Sequence, residues 1–210
     1  MAKSFLKKHD GTLKGDKQAA ALLALCGAVE PGKAADILKA GGPANFSTFY
    51  GYYMLEALAE AGLYQQAADI IRAYWGGMLD MGATTFWEDF DLDWTKDSYG
   101  IDRLPEAGKK DIHGDFGAYC YKGFRHSLCH GWASGPTAWL SRYVLGINPV
   151  SPSEIEIQPH LGDLPWAEGT FPTPYGIVKV RHEKGPDGRV NTAVNAPKEL
   201  KITVKKPNIL

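Results

Sequence analysis

The sequence has few cysteines, almost no net charge and no long apolar segment. The three cysteines, Cys26, Cys120 and Cys129, include no C-x-x-C pair, so ordinary thiols are expected, although Cys120 and Cys129 could pair if geometry allowed. A formal net charge of -1 over 210 residues provides no basic surface for nucleic acid or an anionic membrane. No apolar run approaches the length that a transmembrane helix needs. A neutral ligand is therefore favoured, and no cellular compartment is indicated.

The apolar content is high enough for a substantial core. Hydrophobic residues make up 44% of the chain and aromatic residues 11%, which suits one or two globular domains. Residues 19–29 imitate the apolar region of a signal peptide, but they start late and lead directly into further helical pattern. We therefore predict a helix there and a second, short helix over residues 33–40.

A strong helical period covers residues 45–82. Apolar side chains recur every three or four residues in two runs, which predicts a helical hairpin with a very short connection at Gly62. Asn45 or Ser47 is expected to cap the first helix, and Gly82 to end the second. The apolar positions are Phe46, Phe49, Tyr50, Tyr53, Met54, Ala57, Leu58, Ala61, Ala67, Ile70, Ile71, Tyr74, Trp75 and Met78.

A lone glutamate stands between aromatic residues just after this hairpin. Glu88 follows Trp87, with Phe86 and Phe90 on either side. An apolar environment raises the pKa of a carboxyl group towards the range useful for proton transfer. Trp87 offers a flat face for the C–H side of a sugar ring and an indole N–H that can donate a hydrogen bond. Glu88 is the leading catalytic candidate, and the simpler interpretation is a helix end with ordinary core aromatics.

Residues 89–128 have no regular period and alternate acidic with aromatic residues. A segment of this length is usually functional or disordered, and its aromatic density argues against disorder, so we predict a binding loop. Residues 111–115 (DIHGD), followed by His126 and His130, carry potential metal ligands without a recognised metal spacing. Hydrogen bonds to a polyhydroxylated ligand are the preferred interpretation, and neither a metal nor another cofactor is predicted.

The period changes from helical to alternating near residue 148. One helix is predicted to begin near Pro136 and to end at Gly146. Beyond it, apolar and polar residues alternate over residues 154–205, which predicts antiparallel strands with a turn at residues 185–188. The chain is therefore predicted to be α+β, with helices before this change and strands after it.

Five stretches of sequence are more specific together than any one alone. They are residues 82–88 (GATTFWE), 127–136 (SLCHGWASGP), 140–146 (LSRYVLG), 161–170 (LGDLPWAEGT) and 172–176 (PTPYG). In this order, within about residues 18–183, they closely resemble the C-terminal part of bacterial and fungal α-L-rhamnosidases of glycoside hydrolase family 78.

The resemblance implies a multidomain α+β architecture. Residues 1–147 would be the C-terminal portion of an (α/α)6 barrel of helical hairpins, and residues 148–210 would be an antiparallel β-sandwich-like domain. The implied activity is the inverting hydrolysis of terminal rhamnose from plant glycosides or polysaccharides. A rhamnose-containing glycoside would then be the ligand, with no nucleic acid or membrane partner.

The resemblance also implies roles for three residues. Glu88 matches the general base for the attacking water, Trp87 matches a wall of the sugar pocket, and His130 matches a histidine that contacts the bound sugar. Taken alone, His130 would more often be a structural histidine. Trp132 and Trp139 are expected to lie in the core rather than in the site.

The sequence departs from the family in what residues 1–147 contain. They supply roughly four or five helices by pattern, fewer than a whole barrel needs. The region that holds the general acid in the family has no counterpart, and inversion needs two carboxyl groups roughly 6.5–9.5 Å apart.

Three hypotheses follow from this departure. The chain is part of an enzyme whose N-terminal half is missing here, a sugar-binding module without chemistry, or a structural fragment that completes a barrel with another chain or with itself. An incomplete barrel would expose apolar surface on residues 45–82 and 136–145, which predicts self-association.

Overall fold

The computed structural model describes residues 15–112 and 126–205, and the chain divides into two compact units between Gly135 and Pro136. The described part of the first unit is mainly helical, and the second consists mainly of strands. The α+β class predicted from the change of period is confirmed. No helix within the described ranges is both long enough and apolar enough to cross a membrane.

Helices α1 to α4 make up most of the described first unit. Asp16 caps α1 by accepting a hydrogen bond from the N–H of Ala19 at 3.0 Å, and Pro31 occupies the first turn of α2, where no donor is lost. The helices predicted over 19–29 and 33–40 are confirmed with earlier starts. The bounds are Lys17–Leu25 for α1, Pro31–Lys39 for α2, Tyr50–Glu60 for α3 and Tyr64–Asp80 for α4.

Helices α3 and α4 form the predicted hairpin. Gly62, with a φ of +76°, allows the tight connection, and Gly82, with a φ of +88°, follows the end of α4. The hairpin starts later than expected because Asn45 has a φ of +60°, outside the helical region. The N-cap position is Phe49, which makes no side-chain capping bond, while the side chain of Ser47 accepts a hydrogen bond from the N–H of Tyr50 at 3.2 Å. The buried face includes Met54, Leu55, Leu58, Ile70, Tyr74, Trp75 and Met78.

The predicted binding loop is described in part. Residues 89–112 contain a 3₁₀-helix over Leu92–Asp97 and two short parallel strands, β1 at Ser98–Tyr99 and β2 at Lys110–Asp111. The remainder of the predicted loop up to residue 125, with His113, Asp115 and Cys120, lies outside the described residues. Cys26 and Cys129 are exposed free thiols.

The second unit opens with the predicted helix. Helix α5, Gly135–Trp139, continues as a π-helix over Leu140–Val144 and ends before Gly146. Two three-stranded sheets follow, in the orders β3-β4-β8 and β5-β6-β7. The strands are β3 at Ile147–Ser151, β4 at Glu154–Ile157, β5 at Trp166–Thr173, β6 at Gly176–Lys184, β7 at Val190–Asn195 and β8 at Lys201–Val204.

Both sheets contribute to one hydrophobic core. Ile155 and Ile157 from β4 cluster with Val178 and Val180 from β6, and all four are at most 2% exposed. Because side chains of a strand alternate between its faces, their neighbours Lys179 and Arg181 lie on the opposite, solvent-facing side of β6. The alternation in the sequence therefore identified the buried face correctly.

The expectation that all strands run antiparallel is wrong for β8. This strand pairs in parallel with β4, with Ile155 opposite Ile202. The chain leaves β4, passes through the whole β5-β6-β7 sheet and returns beside β4 in the same direction. A period of two shows which face is buried and carries no information about strand direction. Val204, expected on the apolar face, is 51% exposed.

Candidate active site

Two irregular stretches of the first unit lie side by side and build the site. The N–H of Glu88 donates to the carbonyl of Ser127 at 2.9 Å, and the N–H of His130 donates to the carbonyl of Phe86 at 2.8 Å. These backbone bonds align residues 86–88 with residues 127–130. Glu88 and His130 are thereby brought together although much of the loop between them lies outside the described residues.

The side chain of Glu88 is held by its neighbours and remains accessible. Its Oε2 accepts a hydrogen bond from the N–H of Ser127 at 2.8 Å and lies 3.8 Å from Nδ1 of His130. The side chains of Glu88 and His130 are each 31% exposed. The buried hydroxyl of Thr48 donates to the carbonyl of Glu88 and fixes the backbone beneath the carboxylate.

The aromatic neighbours of Glu88 do not enclose its carboxylate, contrary to the sequence-based expectation. Trp87 and Phe90 are buried, 0% and 2% exposed, and their rings meet edge to face at 5.7 Å. Both rings lie in the core, whereas the Glu88 side chain stays partly exposed. The ring of Trp87 has no exposed face in the described structure, and its contact with a sugar stays a prediction.

A row of aromatic side chains begins beside His130. The ring of Trp132 lies 4.5 Å from that of His130 and 4.9 Å from that of Phe49, measured between ring centroids. Phe49 in turn contacts Tyr50 at 5.1 Å and Tyr53 at 5.9 Å. We call Phe49, Tyr50, Tyr53 and Trp132 the aromatic row.

Trp132 is the residue that the sequence interpretation misplaced. It was expected in the core, but it is 51% exposed, whereas Trp139 is fully buried as expected. The two residues differ in local structure, because Trp132 lies in a 3₁₀ turn over Gly131–Ala133 and Trp139 lies within α5. Its position two residues after His130 is a signal that could have placed it near the site.

The acidic residues next to Glu88 make local bonds. Asp89 accepts a hydrogen bond from the N–H of Phe90 at 2.9 Å, and Asp91 accepts one from the N–H of Asp93 at 2.9 Å. Asp93 forms an exposed ion pair with Lys96 at 2.6 Å. Within the described ranges, no cluster of three or more His, Cys, Asp or Glu side chains is arranged to hold a metal ion. The stretch 111–115 cannot be placed as a whole, because it is described only up to residue 112.

The geometry defines a site suited to a polyhydroxylated ligand. A partly exposed carboxylate and an imidazole can bind hydroxyl groups, and the aromatic row beside them can pack against the C–H faces of rings. Comparisons with known proteins relate the chain as a whole, rather than this arrangement, to one enzyme family. Residues 146–209 match the family model of the bacterial α-L-rhamnosidase C-terminal domain.

Solved rhamnosidase structures match most of the chain. A GH78 family rhamnosidase of Bacillus sp. GL1 is 25% identical, with a TM-score of 0.67, over 92% of this chain and 19% of that chain. The α-L-rhamnosidase from Aspergillus terreus has a TM-score of 0.73 at 19% identity, over 97% of this chain and 23% of that chain. The α-L-rhamnosidase from Dictyoglumus thermophilum has a TM-score of 0.66 at 18% identity, over 92% and 21%. At these lower identities the last two structures support the fold alone.

The predicted resemblance to the C-terminal part of α-L-rhamnosidases is confirmed by the family match and by these structures. A search of curated protein sequences gives no match to the chain. The chain spans about a fifth of the length of each solved rhamnosidase that it matches. The relation is therefore to glycoside hydrolases, while the activity of a whole rhamnosidase is a matter for proposal.

Proposed function

We propose that this chain supplies the general base of an inverting α-L-rhamnosidase that removes terminal rhamnose from glycosides. Glu88 is the base, and His130 contacts the sugar. The observation that carries the proposal is the separation of 3.8 Å between Glu88 Oε2 and His130 Nδ1, both on partly exposed side chains. The family relation reported above supports the choice of rhamnose as the sugar.

The bonding of Glu88 fits the task of a base. Ser127 holds Oε2 through a backbone N–H, which orients the carboxylate so that Oε1 can accept a proton from a water. In the proposed step, the water oxygen bonds to the anomeric carbon while its proton passes to Glu88 and the glycosidic bond breaks. His130 keeps the sugar in register through a hydrogen bond to one of its hydroxyl groups.

Inversion also requires an acid that protonates the leaving oxygen. The two carboxyl groups of an inverting pair stand roughly 6.5–9.5 Å apart, with the water beside one of them. Asp89, Asp91 and Asp93 are tied to local partners next to Glu88. With these three carboxylates engaged beside Glu88, we propose that another part of the enzyme supplies the acid, as the family resemblance implies.

The proposal extends to the fold. The α3–α4 hairpin is the kind of unit from which an (α/α)6 barrel is built, and we propose that the first unit is a portion of such a barrel. The core shared by Ile155, Ile157, Val178 and Val180 supports a β-sandwich in the second unit, with one parallel strand pair. The boundary between helices and strands at residues 147–148 remains part of this proposal.

Binding of the monosaccharide is the first test. We expect the 210-residue chain to bind L-rhamnose weakly in a calorimetric titration, since it holds part of the sugar site. Glu88→Gln should spare binding because the amide keeps the shape of the carboxylate, whereas His130→Ala should weaken it. Glu60→Gln, an exposed position at the end of α3, is the control. Rhamnose binding that is indifferent to His130 would contradict the proposed site.

Catalysis is tested in a chimera, because the acid is assigned elsewhere. This chain would replace the corresponding part of the Bacillus sp. GL1 rhamnosidase, and the release of 4-nitrophenol from its α-L-rhamnoside would be measured. Glu88→Gln should lower kcat by about 10²–10⁴-fold, the usual contribution of a general base. NMR should show the inverted anomer as the first product. Turnover by the 210 residues alone, abolished at Asp91 or Asp115, would show that the acid has been misplaced.

A sugar-binding or barrel-completing fragment without chemistry is the alternative. Leu79 is 68% exposed at the end of the hairpin, and Tyr50 is 36% exposed at its start, so some apolar surface is open to a partner. Most of the hairpin's large apolar side chains are buried, so this surface is small. Sedimentation of the chain over a range of concentrations distinguishes the cases, because only the barrel-completing fragment requires a dimer or a partner.

A further inference from the structure

We propose that the exposed face of the β5-β6-β7 sheet binds a uronic acid, a sugar that carries a carboxylate beside its hydroxyl groups. The site lies in the second unit and uses neither Glu88 nor His130, so it does not rest on the proposed function. Its role is to hold a saccharide without reacting with it. The sheet forms an open depression of about 550 Å³ there, within the range of about 300–1,000 Å³ that small-molecule sites occupy.

The strand register builds this depression from two neighbouring rows of exposed side chains. Residues that lie opposite one another on β5, β6 and β7 share a face, and alternate residues along each strand return to that face. We call the six residues of the two rows the sheet hollow. The first row consists of Glu168, Arg181 and Ala193, and the second of Thr170, Lys179 and Asn195.

Arg181 forms a fixed wall of the sheet hollow. Its guanidinium donates to Oε2 of Glu168 at 2.7 Å, lies 3.7 Å from the carboxylate of Glu183, and stacks over the ring of Trp166 at 5.1 Å from the centroid. Two carboxylates therefore share the charge of this one cation. The same contacts orient Glu168, so its Oε1 can accept a hydrogen bond from a hydroxyl group of a ligand.

Lys179 is the cation of the sheet hollow that lacks a counter-charge. Within the part of the chain that the structure describes, its ammonium group makes no ion pair, and both carboxylates on this face pair with Arg181. Thr170 and Asn195 lie on either side of Lys179 in register. Their hydroxyl and amide groups both donate and accept hydrogen bonds. This row therefore complements a carboxylate with hydroxyl groups next to it.

The two rows together select for a sugar acid over simpler ligands. A small dicarboxylate such as succinate satisfies Lys179 but has no hydroxyl group for Glu168, whose charge repels it. A neutral sugar satisfies Glu168 and leaves Lys179 without a counter-charge. A uronic acid provides both groups on one ring. Ala193 contributes only a methyl group, which leaves room for that ring beside the longer side chains.

The test compares two sugars that differ only at C6. Methyl α-D-galacturonoside has a carboxylate there and methyl α-D-galactoside a hydroxymethyl group, and each is titrated into the ¹⁵N-labelled full chain while amide shifts are followed by NMR. The galacturonoside should bind more tightly, by about threefold to fivefold for one exposed ion pair. Lys179→Gln should abolish this preference. Ala193→Leu, which fills the depression from an exposed position, should weaken the binding of both sugars.

The matched control is Lys198→Gln, which removes the same charge from an exposed lysine outside the sheet hollow. It should leave both affinities unchanged, as should His130→Ala. A preference for the galacturonoside that is absent, or that survives Lys179→Gln, would overturn the site, and so would succinate binding as tight as that of the galacturonoside. Loss of rhamnose binding with galacturonoside binding retained would count against the proposed function alone, so the two proposals fail separately.

Discussion

Gly146 offers the sharpest test of how the second unit is built. It joins the π-helix to β3 with a φ of +67°, a left-handed conformation, and its carbonyl accepts a hydrogen bond from the N–H of Gln158 at 2.9 Å. A Cβ at this position would lie 2.2 Å from the backbone carbon and oxygen of Gln158 and 2.5 Å from the nitrogen of Pro159. Backbone atoms cannot swing aside as a flexible side chain can, so the turn or β4 must move.

The destabilisation expected for Gly146→Ala has two parts. A left-handed conformation costs a residue with a Cβ about 1–2 kcal/mol relative to glycine. Forcing extra atoms into a packed region costs about 1–3 kcal/mol more. Gly188→Ala is the control, because Gly188 also has a left-handed φ, +77°, but a Cβ added there would meet no atom within 4 Å. Gly188→Ala should therefore be destabilised only by the cost of the left-handed conformation.

Hydrogen exchange of residues 147–157, followed by mass spectrometry, reports the local effect. Each 1.4 kcal/mol increases the opening equilibrium about tenfold, so the combined cost of about 2–5 kcal/mol for Gly146→Ala should speed exchange of these amides by about 30–4,000-fold. Gly188→Ala, with a cost of about 1–2 kcal/mol, should speed it by about 5–30-fold at most. Equal effects of the two variants would refute the reasoning, because they would show that the contact with Gln158 relaxes without cost.

Two further predictions concern single polar groups. Burial lowers the pKa of His182 below 6.5, and its bond to the Leu145 carbonyl partly offsets this effect. As pH falls through this range, the unfolded chain therefore binds more protons than the folded chain. The free energy of unfolding should therefore decrease below about pH 6.5, and His182→Gln should flatten the dependence of Tm on pH. His160, whose pKa burial also lowers, should account for the dependence that remains. Thr48→Val should lower kcat of the chimera by about tenfold, because it leaves the Glu88 carbonyl without its hydrogen bond. Thr48→Ser keeps a hydroxyl and should retain activity. If the valine and serine variants were equally active, Thr48 would have no role in positioning Glu88.

The tautomer of His182 explains why this residue is tolerated in the core. The carbonyl of Leu145 can only accept, so Nε2 at 2.9 Å must carry the proton. In the neutral ring, Nδ1 then accepts from the hydroxyl of Thr192 at 2.8 Å. Both nitrogens are satisfied without charge, and a second proton on Nδ1 would reverse the bond to Thr192 and place a charge in the core. The neutral ring therefore fits the core, and protonation at low pH opposes folding.

Periodicity predicted most of the regular structure, because burial on one face is a local property of sequence. The helices around Gly62 and the strands on either side of residues 185–188 follow from spacing alone. The parallel pairing of β8 did not follow, since it depends on the path of the chain through β5, β6 and β7. The π-helical turn over Leu140–Val144 was likewise hidden, because a wider turn changes the apolar spacing by a single residue.

The roles of Glu88 and His130 stay predictions, and the structure bears on their proximity and their surroundings. Motifs indicated Glu88 and His130, and the structure places them 3.8 Å apart. The environment of Glu88 was predicted from its neighbours in sequence, but Trp87 and Phe90 are buried while the Glu88 side chain stays partly exposed. For Trp132 the error was the reverse. It was predicted to be buried, but its 3₁₀ turn leaves it exposed. Burial in irregular segments depends on tertiary contacts that spacing does not encode.

The hairpin explains why the catalytic candidate follows it in the chain. Thr48, just before α3, donates its hydroxyl to the carbonyl of Glu88, and Tyr74, within α4, donates to the carbonyl of Phe90. Both donors are nearly fully buried and belong to packed helices or their immediate start, so they fix an irregular segment that has no regular hydrogen bonding of its own. Irregular backbone leaves the Glu88 side chain free to face a ligand, and the helices supply the rigidity that the backbone lacks. The residues of the hairpin region thus position the backbone of Glu88 and Phe90 through their carbonyl groups, and they make no bond to the Glu88 carboxylate in these two contacts.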